Sequence, residues 1–129
     1  MNEDSIRRVQ LFAALPRPEV EHLARVLRPI ECAAGTMLFY EGTFGNQFYI
    51  LLQGELEIIK SLGTDGERVM AVRDDASLIG EMSLYSKDGL RTASVRARTD
   101  CKLLRMTRDE FDALLHRYPA LAYEMVRTL

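Results

Sequence analysis

The chain has 129 residues and a mass of 14.7 kDa, about one domain's worth, which excludes a large multidomain enzyme. Hydrophobic residues make up 47% and charged residues 28%, so the chain is neither disordered nor collagen-like, and no run approaches the ~18 consecutive apolar residues of a membrane-spanning helix. Seventeen Lys plus Arg against nineteen Asp plus Glu leave a formal charge of −2, too balanced for a surface that binds nucleic acid by neutralising phosphates.

The acidic start Met1-Asn2-Glu3-Asp4 does not read as a basic, apolar leader, and a cytoplasmic location is expected. Over residues 1–28 helical periodicity recurs at Ile6, Val9, Gln10 and Phe12 and again at Val20, Leu23, Ala24 and Leu27. Pro16 and Pro18 divide this segment into two short helices. From residue 29 to 106 short apolar and β-branched runs alternate with Gly and Asp turns, the pattern of an all-β body. The strands expected are Pro29–Cys32, Thr36–Phe39, Gln47–Leu52, Glu55–Lys60, Arg68–Val72, Ser77–Ile79, Thr92–Arg98 and Lys102–Met106. Eight of them make a mostly β jelly roll with flanking helices, in which Leu56 and Ile58 face inward and Thr64-Asp65-Gly66 turns a hairpin.

After Met106 the helical period returns. Thr107 and Glu110 have the spacing of a capping box, with Phe111, Leu114 and Leu115 as the buried stripe. Pro119 opens a last helix whose apolar residues Leu121, Ala122, Met125 and Leu129 run to the end of the sequence without a cap. That helix is expected either to pair with a second copy in a homodimer or to continue into an effector. The whole of 1–129 reads as a single domain: N-terminal helices (1–28), a β-roll (29–106) and C-terminal helices (107–129).

Two cysteines and two histidines exclude a zinc motif, an iron–sulfur cluster and a metal-dependent barrel enzyme. No metal and no cofactor is expected. Cys32 and Cys101 read as small apolar filler, and a disulfide between them requires that their strands be adjacent.

The stretch from Leu78 to Ser94 differs from ordinary strand sequence. A strand ends at Gly80, a short helical turn starts at once, a Gly-containing loop follows, and Arg91-Thr92-Ala93 opens the next strand. A helix start offers unpaired N–H groups, and Gly80 permits close approach of a ligand to the backbone. Arg91 supplies a permanently charged fork for phosphate oxygens, with Ser83 and Thr92 as shorter donors. Glu81 would repel an anion unless it accepted hydrogen bonds from hydroxyls, as a ribose 2′-OH provides. Arginine for phosphate, glutamate for ribose and an apolar wall for a base describe a nucleotide. The segment holds no metal ligands and no base aimed at phosphorus, so a phosphodiesterase is disfavoured and the chain is read as a binding module, not an enzyme.

Gly80-Glu81-Met82-Ser83-Leu84 followed by Arg91-Thr92-Ala93, together with Glu41-Gly42-Thr43-Phe44-Gly45-Asn46-Gln47-Phe48-Tyr49-Ile50 and Gly54, resembles the cyclic-nucleotide-binding domain family. That family includes the sensor domain of the bacterial catabolite activator and those of cyclic-nucleotide-dependent kinases and gated channels. The resemblance covers nearly the whole chain. It implies that Glu81 accepts from the ribose 2′-OH, that Arg91 pairs with the exocyclic phosphate oxygens, and that Gly80, Met82, Ser83, Thr92 and Ala93 complete the phosphate shell. It also implies that Ile58, Met70 and Ala71 form the wall against base and sugar; Arg73 falls near that wall, where an apolar residue is more usual. The implied ligand is cyclic AMP or cyclic GMP, with binding relayed through the C-terminal helix to an effector. The alternative is a dimerisation or docking module that keeps the fold and binds no ligand. Gly42, Gly45 and Gly54 are expected to be turn formers without ligand contact, with Gly54 opening a tight hairpin.

Overall fold

The computed structural model describes residues 2–74, 76–84 and 87–127, apart from the side chains of Asn2, Gln10, Leu84, Met125 and Val126. Asp75, the Met125 side chain and Leu129, to which the sequence assigned a solvated turn charge and the apolar end of the last helix, lie outside the described residues. Helix α1 (Asn2–Arg8) leads through a 3₁₀ turn at Gln10–Phe12 to α2 (Arg17–Val26), so the break falls where Pro16 and Pro18 predict it. Eight strands follow: β1 (Arg28–Cys32), β2 (Met37–Phe39), β3 (Gln47–Gln53), β4 (Leu56–Lys60), β5 (Arg68–Arg73), β6 (Leu78–Ile79), β7 (Ser94–Ala97) and β8 (Cys101–Thr107). A 3₁₀ turn at Glu81–Leu84 separates β6 from β7, and α3 (Arg108–Arg117) and α4 (Ala120–Arg127) close the chain. No helix among the described residues is long and apolar enough to cross a membrane.

The strands form two four-stranded antiparallel sheets, one ordered β1, β8, β3, β6 and the other β2, β7, β4, β5. Strand β3 explains how the layers stack. Phe48 and Ile50 pack with Leu104, Met106 and the helical residues Ile6, Phe12, Leu23, Phe111 and Leu114, whereas Tyr49 and Leu51 join Leu56, Val95 and Leu103 between the sheets. A strand buried on both faces reads as a continuous apolar run, and Phe48-Tyr49-Ile50-Leu51-Leu52 is one. Phe48 and Phe111 meet at 4.9 Å between ring centroids.

The capping box forms: Glu110 N donates to Thr107 Oγ1 at 3.1 Å, and Thr107 N donates to the Glu110 carboxylate at 3.0 Å. The N- and C-terminal helices are tied by Arg117 of α3, which donates to both carboxylate oxygens of the nearly buried Glu19 of α2, at 2.6 and 3.3 Å.

Two local expectations are corrected, and the question of the cysteines is answered. Gly54 does not open a hairpin, because β3 and β4 belong to different sheets; its turn, at φ +104, carries the chain from one sheet to the other. A Cβ there would lie 2.5 Å from Asp100 O and 2.8 Å from Cys101 Sγ, so the corner packs too closely for any side chain. The loop between β4 and β5 is longer than a Thr-Asp-Gly turn. It runs as two successive turns, with Thr64 N donating to Ser61 O and Glu67 N to Thr64 O, each at 3.1 Å, and with Ser61 and Gly63 at positive φ. Cys32 and Cys101 are directly opposed across β1 and β8, so the adjacency a disulfide needs is met, yet both are free thiols. Burial and the facing Cys101 push the Cys32 thiol up, and Cys101 Sγ donates toward Glu55 O and Thr99 O.

Candidate functional site

Strand β6 is only two residues long because Gly80, at φ +94, turns the chain out of the sheet. The turn Glu81–Leu84 follows at once, and Ser83, buried, folds its hydroxyl back to Gly80 O at 3.1 Å. The turn stands over a cleft whose wall includes Phe39, Ile58, Arg73, Gly80, Glu81, Met82, Ser83, Arg91, Thr92 and Ala93. Eight of the ten residues singled out from sequence therefore lie on one wall.

Met70 and Ala71 do not lie on that wall. Ala71 pairs with Ile58 and Val69 with Ile59, so Met70 is the extra residue of a bulge and is 53% exposed. A bulge redirects side chains, and no residue type in this run announces it. Arg73 takes a wall position instead. Its charge opposes, in part, the rise that burial imposes on the Glu81 carboxyl. Phe39, which sequence did not select, comes from β2 through its pairing with Val95 of β7.

Arg91 is held from three sides. Its guanidinium lies 3.9 Å from the centroid of the Phe39 ring, Nη1 donates to Gly80 O at 3.1 Å, and Nη2 donates to Gln47 O at 2.7 Å. The residue is only 5% exposed, and Nε is buried with no hydrogen-bond partner among the described residues. Its direct acceptors are neutral carbonyls. Burial lowers the guanidinium from its ordinary value, the nearby charge of Arg108 adds to this, and Tyr49 and Glu81 oppose it. Glu81 has the mirror problem: burial raises its carboxyl above the ordinary glutamate range, while its own backbone N–H, Arg73 and Arg91 pull it down. A buried cation without an anion in direct contact, beside a desolvated carboxylate, is costly unless something else completes the pairing.

The second sequence motif positions the first. Arg91 N donates to Thr43 O at 2.7 Å, Gly42 N to Arg91 O at 2.9 Å and Gly45 N to Gly89 O at 2.9 Å, so residues 42–45 zip onto residues 89–91, just ahead of β7. Gly45 is more than a turn former. Its backbone is not in the left-handed region, yet a Cβ there would overlap the Ser83 side chain and come within 3.4 Å of Arg91 Nη1. Glu41 fixes the neighbouring loop: its carboxylate accepts from Ser61 N at 3.0 Å and Lys60 Nζ at 3.2 Å, and those bonds hold it below the usual range.

The residues from 29 to 118 match the family model for the cyclic nucleotide-binding domain. The chain belongs to that family. It is 30% identical over 119 residues, 92% of its length, to the cyclic AMP receptor protein of Thermus thermophilus, and it spans only 55% of that protein. The crystal structure named as the Thermus thermophilus catabolite activator protein superposes with a TM-score of 0.78 at 30% identity, covering 92% of this chain and 55% of that one. The N-terminal domain of a transcriptional regulator from Streptomyces coelicolor superposes with a TM-score of 0.77 at 32% identity, over 96% of this chain and 88% of that one. The regulatory domain of Toxoplasma gondii PKA, crystallised with cyclic AMP, gives a TM-score of 0.78 at 31% identity, over 86% of this chain and 42% of that one. The chain is thus a cyclic nucleotide-binding regulatory domain spanning about half the length of the bacterial relatives it matches. The cleft holds about 80 Å³ of free volume, well below the ~300–1,000 Å³ of small-molecule sites. Arg91, folded back on Phe39, takes up part of that space.

Proposed function

We propose that the cleft binds a cyclic purine nucleotide, with Arg91 releasing its two carbonyls to pair with the exocyclic phosphate oxygens. Glu81 accepts from the ribose 2′-OH, the backbone at Met82 and Ser83 with Thr92 completes the phosphate shell, and Ile58 and Phe39 face the base and sugar. The carrying observation is the buried guanidinium of Arg91 with an unpartnered Nε, set beside Glu81. An equatorial phosphate oxygen supplies the missing anion, and the hydroxyl gives Glu81 a donor that offsets its desolvation. Small free volume is consistent with this reading, because the arginine vacates the space as the ligand fills it. Two relatives named above carry cyclic AMP in their names or as the ligand, so cyclic AMP is the first probe and cyclic GMP the second. Binding is read out through α4, to a partner copy or to an effector, as a shift between two states of the domain. Thermal melting tests the reading. Nucleotide at a hundred times its dissociation constant stabilises a fold by about 2.7 kcal/mol, which for this length raises the Tm by about 10 °C. An unchanged Tm with both nucleotides at millimolar concentration overturns it.

A further inference from the structure

A second concavity shares no lining residue with the Arg91 cleft. It lies where the end of α2 meets β1 and β8, and forms an open groove of about 740 Å³. Arg25, Arg28 and Arg105 line it, with Glu110 as the carboxylate on its wall. Glu110 is already engaged in the capping box with Thr107. None of the three arginines has a carboxylate partner among the described residues. Arg28 and Arg105 are moreover directly opposed across the β1 and β8 pair. Like charges at such positions weaken a sheet, so this arrangement costs stability. The rest of the lining is Thr107 and the apolar residues Val26, Leu27 and Pro29.

We propose that this groove docks an acidic segment of a partner protein, whose carboxylates pair with Arg25, Arg28 and Arg105 while its apolar side chains cover Val26 and Pro29. Arginine forks match carboxylates in a bidentate way, and three of them concentrated in one groove of a chain with net charge −2 give local complementarity without a generally basic surface. A nucleic acid fits the groove less well. The groove's cations are three separate guanidiniums interrupted by apolar residues and by Glu110, which suits carboxylates spaced along a peptide with apolar residues between them better than a continuous phosphate backbone.

The probe is a fluorescein-labelled octapeptide of alternating glutamate and alanine, titrated against the whole chain by fluorescence polarisation at low salt. Binding is expected, weakened about tenfold by Arg28→Gln and by Arg105→Gln, as loss of roughly one charge-assisted contact implies. Arg17→Gln, on the same helix but paired with Glu21, leaves binding unchanged. Arg28→Gln also melts about 1–3 °C higher than the parent, because the opposed charges are relieved. Since the groove is separate from the Arg91 cleft, Arg28→Gln keeps the parent's response to cyclic nucleotide. Three results overturn the proposal: no binding at about 1 mM peptide, peptide affinity insensitive to Arg28→Gln and Arg105→Gln, or tighter binding of a single-stranded oligonucleotide of equal charge through the same arginines.

Discussion

Replacing Gly45 by alanine tests the packing that joins the two sequence motifs. The backbone at Gly45 lies outside the left-handed region, so alanine brings no conformational strain, and the added methyl alone meets the Ser83 side chain and Arg91 Nη1. Overpacking of this kind costs about 1–3 kcal/mol. The smaller entropy of the unfolded alanine chain returns about 0.4–1 kcal/mol. The net loss is therefore about 1–2 kcal/mol, or about 4–8 °C in Tm for a chain of this length. Because the methyl displaces the Glu81–Leu84 turn and Arg91, cyclic-nucleotide affinity falls with stability. Gly42→Ala, three residues earlier, is the control. It sits at φ +84 with nothing within 4 Å of a Cβ, so it pays about 1–2 kcal/mol of backbone strain and leaves the cassette in place. Differential scanning calorimetry and nucleotide titration on both variants separate the two mechanisms. Equal melting of Gly45→Ala and the parent, with equal affinity, would refute the close packing of Gly45 on the cassette.

Glu81→Gln should stabilise the ligand-free chain while weakening nucleotide binding. Burial raises the Glu81 carboxyl in the folded state, so the folded protein holds that proton to higher pH than the unfolded chain does. Stability is then lost as pH rises from the ordinary glutamate value of about 4.3 through the raised folded value. The Tm advantage of the variant is expected to open across that interval and to level off above it; an advantage that is the same at every pH contradicts a desolvated Glu81. Glu19→Gln should lower stability by about 1–3 kcal/mol, between the values for exposed and fully buried ion pairs, because Arg117 loses a bidentate partner that is itself 9% exposed. Urea unfolding measures this, and a loss below about 0.5 kcal/mol shows that the bond between α2 and α3 is not structural.

Much of the fold is legible because the relevant signals are local. The Thr107 and Glu110 spacing, the prolines at 16 and 18 and the apolar run Phe48–Leu52 each impose a backbone geometry without help from distant residues. All eight strands are legible in the sequence, with ends shifted by one or two residues. What failed depends on pairing between distant segments. Gly54 reads as a hairpin because the sequence does not reveal that β3 and β4 enter different sheets. Met70 reads as a wall residue because its bulge is set by the register against Ile58 and Ile59. Phe39 and Arg73 could not be chosen for the cleft before β2 was known to pair with β7 and β5 with β4. Gly45 had no signature of its own, since its value is the side chain it lacks where Ser83 and Arg91 approach.

The central claim is that Arg91 and Glu81 together hold a cyclic nucleotide, and isothermal titration of the parent and of Arg91→Ala with cyclic AMP and cyclic GMP tests it most directly. Saturable binding of at least one nucleotide to the parent is expected, one per chain, with a loss of about tenfold or more in Arg91→Ala, as removal of a charge-assisted bidentate contact requires. Binding of equal affinity in both proteins, or none in the parent, contradicts it.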